Sequence, residues 1–265
     1  MQATANGIQM AYTDDGAGVP LLLIHGFPLC GAAWSRQVAA FKNQFRVLVP
    51  DLRGFGASPA TEGPVAMSRY AEDLQALIQH LALEPVLLAG HSMGGYVALA
   101  FAKAYPQALR GLVLVGSKAA ADTPEAAAAR LALAERVRVE GASVAVAAMA
   151  PKMLAAGNGD AAMAAAVRAF MAPSQPQGVI SALLGMADRP AATPWLDQIR
   201  VPTLVIAGVD DALIPPAEAE SLAAAIPGAQ LALIPEAGHL VAFEQPEAFN
   251  EALRGWLAHP SGQPT

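Results

Sequence analysis

The sequence predicts an α/β fold in which helices flank a mostly parallel central sheet and one helical cap is inserted. Three observations predict this fold. Short apolar runs bounded by turn residues alternate with amphipathic stretches along most of the chain. The alternation stops once, between about Gly116 and Trp195, where Ala-, Met- and Arg-containing helical sequence takes over. With 265 residues, 54% of them hydrophobic and 14% charged, the chain is long enough to bury one sizeable core.

Seven short apolar runs are predicted to be strands, and five amphipathic stretches are predicted to be helices. The predicted strands are Ile8–Thr13, Leu21–His25, Arg46–Pro50, Val86–Gly90, Leu112–Val115, Thr203–Ala207 and Gln230–Ile234. The predicted helices are Trp34–Phe41, Ser68–Leu81, Met93–Tyr105, Pro216–Ile226 and Pro246–Ala258.

The region between about Gly116 and Trp195 is too long for a loop in a compact domain, so it is predicted to hold about four helices over one end of the sheet. Proline is tolerated in the first turn of a helix, and Pro124 is placed to open the first one. The predicted division is a core of residues 1–116 and 196–265 and a cap of residues 117–195. The residues after His259 are expected to form a frayed tail.

Charge and composition exclude several classes of protein. There are 16 Lys and Arg against 22 Asp and Glu, a net charge of -6, so nucleic acid is not an expected partner. Mean hydropathy is +0.38, yet no apolar stretch approaches the length of a membrane-spanning helix, so no membrane is expected. The one cysteine, Cys30, can form neither an internal disulfide nor a thiol metal cluster. No export signal is recognisable at the amino terminus, and a cytoplasmic location is expected.

Residues 86–98 predict a nucleophile. A buried strand runs directly into the Gly-x-Ser-x-Gly sequence of residues 90–94 and then into a helical pattern, which is the context of a nucleophile elbow. Such a turn strains Ser92 and projects its hydroxyl above the sheet. Gly90 and Gly94 carry no side chains, so they let strand and helix approach closely. The short pattern also occurs by chance, but the strand before it and the helix after it favour a catalytic serine.

A serine hydroxyl is a weak nucleophile at neutral pH, and it needs a histidine base whose tautomer a carboxylate fixes. Three of the five histidines are poorly placed, because they end a helix, lie in the tail or point away from the serine: His80, His259 and His91. His25 follows a strand in a His-Gly-Phe-Pro sequence suited to presenting backbone N–H groups. His239 lies in the loop between the last strand and the last helix, and it is the predicted base.

Two neighbouring aspartates compete for the role of the carboxylate. Asp210 and Asp211 both follow the strand Thr203–Ala207. Catalytic side chains in open parallel sheets gather at the carboxyl ends of strands, so an acid here faces the same crevice as Ser92 and His239. Loop aspartates also commonly form Asx turns, which leaves the choice between the two open on these grounds.

Together these motifs resemble the α/β-hydrolase fold superfamily over nearly the whole chain. The order Ser92, Asp211, His239 is the nucleophile, acid, base order of that fold. In this superfamily the acid usually stands three residues after the glycine that closes its strand and four before a proline. Gly208 and Pro215 give Asp211, and not Asp210, that position. The other motifs matched are the oxyanion loop His25–Pro28, the turn Asp51–Ser58, and Gly238, Glu244 and Pro246 of the histidine loop.

The resemblance implies a reaction. Serine at position 92, in place of the aspartate of haloalkane dehalogenases and epoxide hydrolases or the cysteine of dienelactone hydrolases, implies acyl transfer. His239 would take the serine proton as the hydroxyl attacks an ester carbonyl, and Asp211 would hold His239. The backbone N–H groups of Phe27 and Met93 would stabilise the negative oxygen. No metal or organic cofactor is needed for this chemistry.

The predicted substrate-binding residues are His25, Gly26, His91, Met149 and Met153. The insertion also holds Met163, Met171 and Met186, and its methionines could line an acyl pocket or fill the helix core. Structural roles are expected for the remaining polar candidates, with Asp51 and Arg53 shaping their turn and Cys30 packing as a small side chain.

The leading hypothesis is a carboxylesterase for small to medium, mostly apolar esters, because the Ala, Leu, Val and Met of the insertion offer an apolar pocket. A 3-oxoadipate enol-lactonase-like enzyme is the alternative, and its substrate's carboxylate would need a cation at the pocket. The candidate cations are Arg130, Arg136, Arg138 and Arg168, although helical arginines are usually solvated. Perhydrolysis with the same three residues is a third possibility. A ligand-binding member of the fold without turnover is less favoured, since all the parts remain.

Overall fold

The computed structural model describes residues 1–83 and 85–258, and within them eight strands form one sheet. The strands are β1 (Gln2–Ala5), β2 (Ile8–Asp15), β3 (Pro20–Ile24), β4 (Arg46–Pro50), β5 (Val86–His91), β6 (Leu109–Val115), β7 (Thr203–Gly208) and β8 (Gln230–Ile234). All seven predicted strands are present, with ends that differ by at most three residues. The tail predicted after His259 lies outside the described residues.

The sequence analysis missed β1. This strand has four residues and pairs antiparallel with β2, with Ala5 opposite Ile8, so only Asn6 and Gly7 form the turn. Both turn residues have positive φ, at 46° and 82°, as a tight hairpin requires. The Asn-Gly dipeptide was the signal that could have revealed the hairpin.

The strand order is β1-β2-β4-β3-β5-β6-β7-β8, and every pairing from β4 to β8 is parallel. The chain leaves β3 for β4 on one side and later returns to β5 on the other side. Ile24 lies beside Gly90, and Gly208 beside Ile234, so the carboxyl ends of the parallel strands meet at one edge. The fold is therefore the predicted α/β architecture, with an antiparallel pair added at one side.

The helices are α1 (Ser35–Phe41), α2 (Met67–His80), α3 (Met93–Ala104), α4 (Pro124–Glu140), α5 (Ser143–Met149), α6 (Ala161–Met171), α7 (Pro176–Ala187), α8 (Pro216–Ala225), α9 (Val241–Glu244) and α10 (Pro246–Ala258). Pro124 opens α4 as predicted, and Pro176 opens α7. The predicted start of α1 is one residue early, because Gly31–Trp34 forms a separate 3₁₀ turn. None of the helices within the described ranges is long and apolar enough to cross a bilayer.

Alternate residues of the central strands enter two apolar layers. Leu22 and Ile24 of β3 pack in the layer that contains α2 and α3, whereas Leu21 and Leu23 pack in the layer that contains α1 and α10. Both faces of the sheet are therefore covered, which explains why the strands read as continuous apolar runs.

Four α-helices, α4 to α7, lie between β6 and β7, as predicted for the insertion. The α4 and α7 helices contact each other, and a third apolar cluster joins the insertion to the strand-end loops. Met153, Val167 and Met171 supply its insertion side, while Leu29 and Leu240 supply the loops. The division into a core and a cap at residues 117 and 195 stays a prediction.

Candidate active site

The candidate site lies where the strand order reverses. β3 and β5 are neighbours, yet their chains continue to opposite sides of the sheet, which opens a crevice at their carboxyl ends. The loop after β3 begins at His25, and the turn after β5 holds Ser92. The topology thus brings the predicted oxyanion loop and the predicted nucleophile to the same place.

Ser92 occupies a strained turn between β5 and α3. Its φ of 53° and ψ of -115° lie in a region that residues other than glycine rarely adopt. The Ser92 N–H donates to the carbonyl of Val115 at 2.8 Å, and its carbonyl accepts from the Ser117 hydroxyl at 3.0 Å. A Cβ at Gly90 would collide with the backbone of Gly94, so strand and helix approach closely there, as predicted, while a Cβ at Gly94 would collide with the carbonyls of Ile24 and His25.

Three side chains from different strand ends form one hydrogen-bonded row. The Ser92 Oγ lies 2.8 Å from His239 Nε2, and His239 Nδ1 lies 2.8 Å from Asp211 Oδ2. His239 and Asp211 are buried, at 1% and 5% exposure, while Ser92 is partly exposed. The structure therefore brings together the three residues that the sequence analysis selected.

Asp211 is held by the turn that carries it. Its Oδ1 accepts N–H bonds from Leu213 at 2.8 Å and Ile214 at 2.9 Å. Burial alone would raise the pKa of Asp211, but the hydrogen bond and charge of His239 and these two N–H groups lower it below its usual value. Asp210 is exposed, and its N–H donates to the carbonyl of Ala237 at 2.9 Å. The carboxylate that contacts His239 is thus the one that the resemblance favoured.

The start of α3 and the loop that carries Phe27 both lie beside Ser92. Met93 is the first residue of α3, and the first N–H groups of a helix have no acceptor within it. The loop that carries Phe27 is pressed against the elbow, because a Cβ at Gly26 would lie 2.9 Å from Ser92 Cβ. Gly26, predicted to bind substrate, is therefore a position where the close approach of two loops requires glycine.

Two further buried histidines lie near Ser92, His239 and Asp211, and both form hydrogen bonds to main-chain groups. His91 Nε2 donates to the carbonyl of His239 at 2.8 Å, and burial and the neighbouring His239 lower the pKa of His91 to about 3. His25 Nδ1 bonds to the carbonyl of Gly26 at 2.9 Å, and its Nε2 accepts the Leu52 N–H at 3.0 Å. Burial lowers the pKa of His25 as well. Both were predicted to contact substrate, but in the structure they are buried supports of the loops around Ser92.

The predicted methionines differ in their surroundings. Met153 is fully buried in the cluster with Leu29 and Leu240, whereas Met149 is partly buried between two apolar clusters. Met171 and Met186 are also buried. The buried methionines are explained by packing. Of the two methionines predicted to contact substrate, Met149 and Met153, only Met149 has exposed surface.

The turn Asp51–Ser58 has the structural role that was expected. Asp51 accepts N–H bonds from Gly31 at 2.8 Å and Ala57 at 2.9 Å. Arg53 is 4% exposed and makes a two-fold ion pair with Asp73 at 2.8 and 2.6 Å. Cys30 is buried, which raises the pKa of its thiol, as expected of a packing residue.

The four arginines considered for a substrate carboxylate are placed elsewhere. Arg130 forms an ion pair with Asp122, and Arg136 and Arg138 are exposed with glutamate partners on their own helix. Arg168 is exposed.

The sequence does not single out Arg189, which is 7% exposed and lies over the ring of Tyr96 at 3.9 Å. Tyr96 is four residues after Ser92 on α3, but this contact leaves no pattern in the sequence.

No group of three or more His, Cys, Asp or Glu side chains in residues 1–83 and 85–258 could hold a metal ion.

The model of the α/β hydrolase fold family matches residues 19–246. The chain belongs to this family. Its sheet, its helices and the place of its elbow are those of an α/β hydrolase.

The chain is similar to hydrolases of several kinds. It shares 42% identity and a TM-score of 0.94 with a thermophilic esterase from Thermogutta terrifontis, over 97% of both chains. It shares 28% identity and a TM-score of 0.91 with the enol-lactonase from Burkholderia xenovorans, over 98% of this chain and 100% of that one. A putative non-heme bromoperoxidase from Mycobacterium tuberculosis is 30% identical over 95% of this chain and 98% of its own. The protein is thus a hydrolase-family enzyme with esterase and lactonase relatives.

Proposed function

We propose that the protein is a serine carboxylic-ester hydrolase that acts through an acyl-enzyme on small to medium, mostly apolar esters. The observation that carries the proposal is the row in which His239 bridges Ser92 Oγ and Asp211 Oδ2 with two contacts of 2.8 Å. The 42% identity to an esterase over almost the whole chain supports the same reaction class.

The first step is attack by Ser92 on the ester carbonyl. His239 Nε2 accepts the hydroxyl proton as the Oγ–carbon bond forms, and the resulting imidazolium keeps its Nδ1 proton, which it donates in a hydrogen bond to Asp211. Because the pKa of Asp211 is low, its carboxylate is ionised at neutral pH and fixes this tautomer. The proton then passes to the leaving alcohol as the acyl-enzyme forms.

The negative oxygen of the tetrahedral intermediate is stabilised by the backbone N–H groups of Met93 and Phe27. The Met93 N–H lies at the amino-terminal end of α3, where the helix dipole also favours negative charge. A preorganised donor of this kind stabilises a transition state by roughly 3 kcal/mol. Water then hydrolyses the acyl-enzyme, with His239 again as the base, and no cofactor takes part in the proposed steps.

The insertion, taken as a cap of residues 117–195 over a core of residues 1–116 and 196–265, supplies the walls of the substrate site in this proposal. Its cluster with the strand-end loops is made of Met, Val, Leu, Ala and Phe side chains. Met149, which has exposed surface, belongs to these walls, whereas Met153 is buried within the cluster. An apolar acyl group fits such walls better than a charged one does. Small-molecule esters in the cytoplasm are the proposed substrates, in keeping with one unpaired cysteine.

A carboxylate-bearing lactone is the second candidate, because an enol-lactonase is among the similar structures. The carboxylate of such a lactone would need a cation at the site. The positions of the four helical arginines argue against any of them as that cation. Arg130 is paired with Asp122, and Arg136 and Arg138 are paired and exposed. Perhydrolysis would use the same three residues with peroxide in place of water. The similarity to a putative non-heme bromoperoxidase supports that acceptor.

The test combines covalent labelling with a substrate comparison. A fluorophosphonate should label Ser92, and Ser92→Ala should lower ester hydrolysis by about 10⁴-fold or more with an unchanged circular dichroism spectrum. The kcat/KM for neutral p-nitrophenyl esters should exceed that for a carboxylate-bearing lactone of similar size. Activity of Ser92→Ala within tenfold of the wild type would overturn the serine mechanism, and a preference for the lactone would overturn the substrate class.

A further inference from the structure

The loop that carries His239 is held on both sides of that residue by the insertion. The Leu240 N–H donates to the carbonyl of Met153 at 2.8 Å. On the other side, Gly238 is packed so closely that a Cβ would collide with the backbone of Leu154 and Ala155. Residues 153–158, which we call the 153–158 segment, therefore lie directly against the histidine loop.

Glu244 joins this segment to the loop by hydrogen bonds. It ends α9 and is 6% exposed. Its Oε2 accepts the Gly238 N–H at 2.7 Å, and its Oε1 accepts Asn158 Nδ2 at 2.6 Å. The Ala155 N–H points at both oxygens, at 3.0 and 3.1 Å. One buried carboxylate thus receives N–H groups from the histidine loop and from the insertion.

The charge of Glu244 is compensated by these N–H groups and not by an ion pair, since the described residues place no cation within 4.0 Å of its oxygens. A buried carboxylate is costly unless it is fully hydrogen-bonded. Hydrogen bonds to an ionised acceptor are shorter and stronger than neutral ones, and they fix the donors in place. The contact therefore holds the Gly238 backbone firmly.

Gly238 directly precedes His239, whose ring must stay between two partners. A shift of the loop would change the two 2.8 Å contacts to Ser92 and Asp211 together. The core supplies its own restraints, because Asp210 N–H binds the carbonyl of Ala237 and His91 binds the carbonyl of His239. These bonds hold carbonyl groups, whereas Glu244 and Met153 hold the N–H groups on either side of His239.

We propose that Glu244 is a positioning residue for His239, and that through it the 153–158 segment sets the rate of turnover as well as the shape of the site. The inference rests on the proposed role of His239 as the base. It adds a role for the insertion beyond substrate selection: the base reaches its working position when the insertion is seated on the histidine loop.

The principal variant is Glu244→Gln, which keeps the size of the side chain but turns one acceptor into a donor that faces other donors. We expect kcat to fall by about 10- to 100-fold, since small misplacements of reacting groups have effects of this order. The KM should stay within about twofold. The loss should be the same factor for acetyl and butyryl esters, because the base and not the acyl pocket is disturbed.

Glu236→Gln is the matched control. Glu236 is an exposed glutamate of the same loop, two residues before Gly238. Its replacement removes one charge near the site but no bond to Gly238, so kcat should be unchanged. An equal loss of kcat in Glu236→Gln would contradict the proposal, since general loss of charge would then explain the effect.

Asn158→Ala tests the insertion's side of the contact. Asn158 is partly exposed, so the change should not prevent folding, and it removes the Nδ2 donor at 2.6 Å from Glu244. We expect kcat to fall by about 3- to 10-fold. Because the two side chains act through one contact, the double variant should lose less than the product of the two single losses. Multiplicative losses would mean that the segment does not act through Glu244.

A spectroscopic measurement separates positioning from general stability. The downfield proton resonance of His239 Nδ1–H should broaden in Glu244→Gln at temperatures where circular dichroism shows a folded protein. The proposal would be overturned if folded Glu244→Gln kept both an unchanged resonance and the wild-type kcat. It would also be overturned if the substitution changed KM and left kcat unchanged. Should Glu244→Gln not fold, Asn158→Ala decides by the same readouts. Hydrolysis that survives Ser92→Ala would instead overturn the serine mechanism, whatever Glu244 does.

Discussion

The elbow helix and the first helix of the insertion are built in opposite ways. α3 follows Ser92 and buries nine of its twelve residues, whereas α4 buries only Ala134 and Val137 of its seventeen. Every turn of α3 is packed between the sheet and its neighbours, so a change of side chain there disturbs the nucleophile. Most of α4 faces solvent and tolerates change. In the proposed function the chemistry lies next to the tightly packed α3, whereas α4 is a part of the insertion that can vary.

Asp211→Asn should have an effect of the same order as the loss of Ser92. The amide would no longer fix the Nδ1–H tautomer of His239, and turnover should fall by about 10⁴-fold, the order found when a triad aspartate is replaced. Asp210→Asn provides the comparison, because this exposed neighbour makes only a backbone contact. Steady-state rates on one ester measure both variants. A larger loss in Asp210→Asn would mean that the wrong carboxylate has been assigned.

The two regions should also differ in what an ion pair contributes to stability. Arg53 and Asp73 are 4% and 0% exposed, whereas Arg136 and Glu140 of α4 are 58% and 49% exposed. Arg53→Met leaves the buried Asp73 carboxylate without a cation and should lower the free energy of unfolding by about 3–5 kcal/mol. Arg136→Met should change it by less than about 1 kcal/mol. Urea unfolding at pH 7 measures both, and comparable losses would remove the distinction between core and insertion.

Acidic pH should weaken the strand-end region through its buried histidines. Burial lowers the pKa of His91 to about 3, while an unfolded chain protonates histidine near about 6.5. Between these values the unfolded state binds a proton that the folded state excludes, so stability falls as pH decreases, by up to about 1.4 kcal/mol per pH unit for this one group. Above about pH 6.5 neither state is protonated, and His91 adds no pH dependence.

The measurement is the free energy of unfolding at a series of pH values from 7 to 4. His91→Gln keeps a donor for the His239 carbonyl but cannot titrate, so its curve should be flatter than that of the wild type. His80→Gln serves as the control, because it removes a histidine that is exposed at the end of α2. Equal slopes in His91→Gln and the wild type would show that His91 does not exclude a proton in the folded state.

The sequence predicted the parts of the molecule that depend on neighbours along the chain. The parallel strands are continuous apolar runs, and the Gly-x-Ser-x-Gly turn places strand, serine and helix in one segment. β1 was missed because a four-residue strand with two alanines carries little pattern, although Asn6-Gly7 was a usable signal. His25 and His91 were selected as substrate contacts, but their bonds to distant backbone groups could not be read from their own segments.

The links between the regions were the hardest to predict. Glu244 was matched only as part of the histidine-loop motif, and its partners Ala155 and Asn158 lie 89 and 86 residues away. One of them offers a backbone N–H, which every residue except proline carries, so its identity gives no signal. Arg189 on the ring of Tyr96 is a similar case. Contacts of this kind depend on the packing of complete elements, and a local pattern does not encode them.

The smallest expected effect concerns the acyl chain. If apolar side chains of the insertion line the acyl site, each methylene that they bury should improve binding by about 0.8 kcal/mol, roughly fourfold in kcat/KM. A series of p-nitrophenyl esters from acetate upward should therefore rise by about this factor per carbon until the site is full. Met149→Ala should shift the optimum towards longer chains, since Met149 is partly exposed in the insertion. Met186→Ala is the comparison, because Met186 is fully buried in the layer that contains α2 and α3, and its replacement should lower stability without moving the optimum. A flat chain-length profile, or one that Met149→Ala does not change, would mean that the insertion does not select the acyl chain. The strand-end loops would then be the part of the protein that selects the substrate.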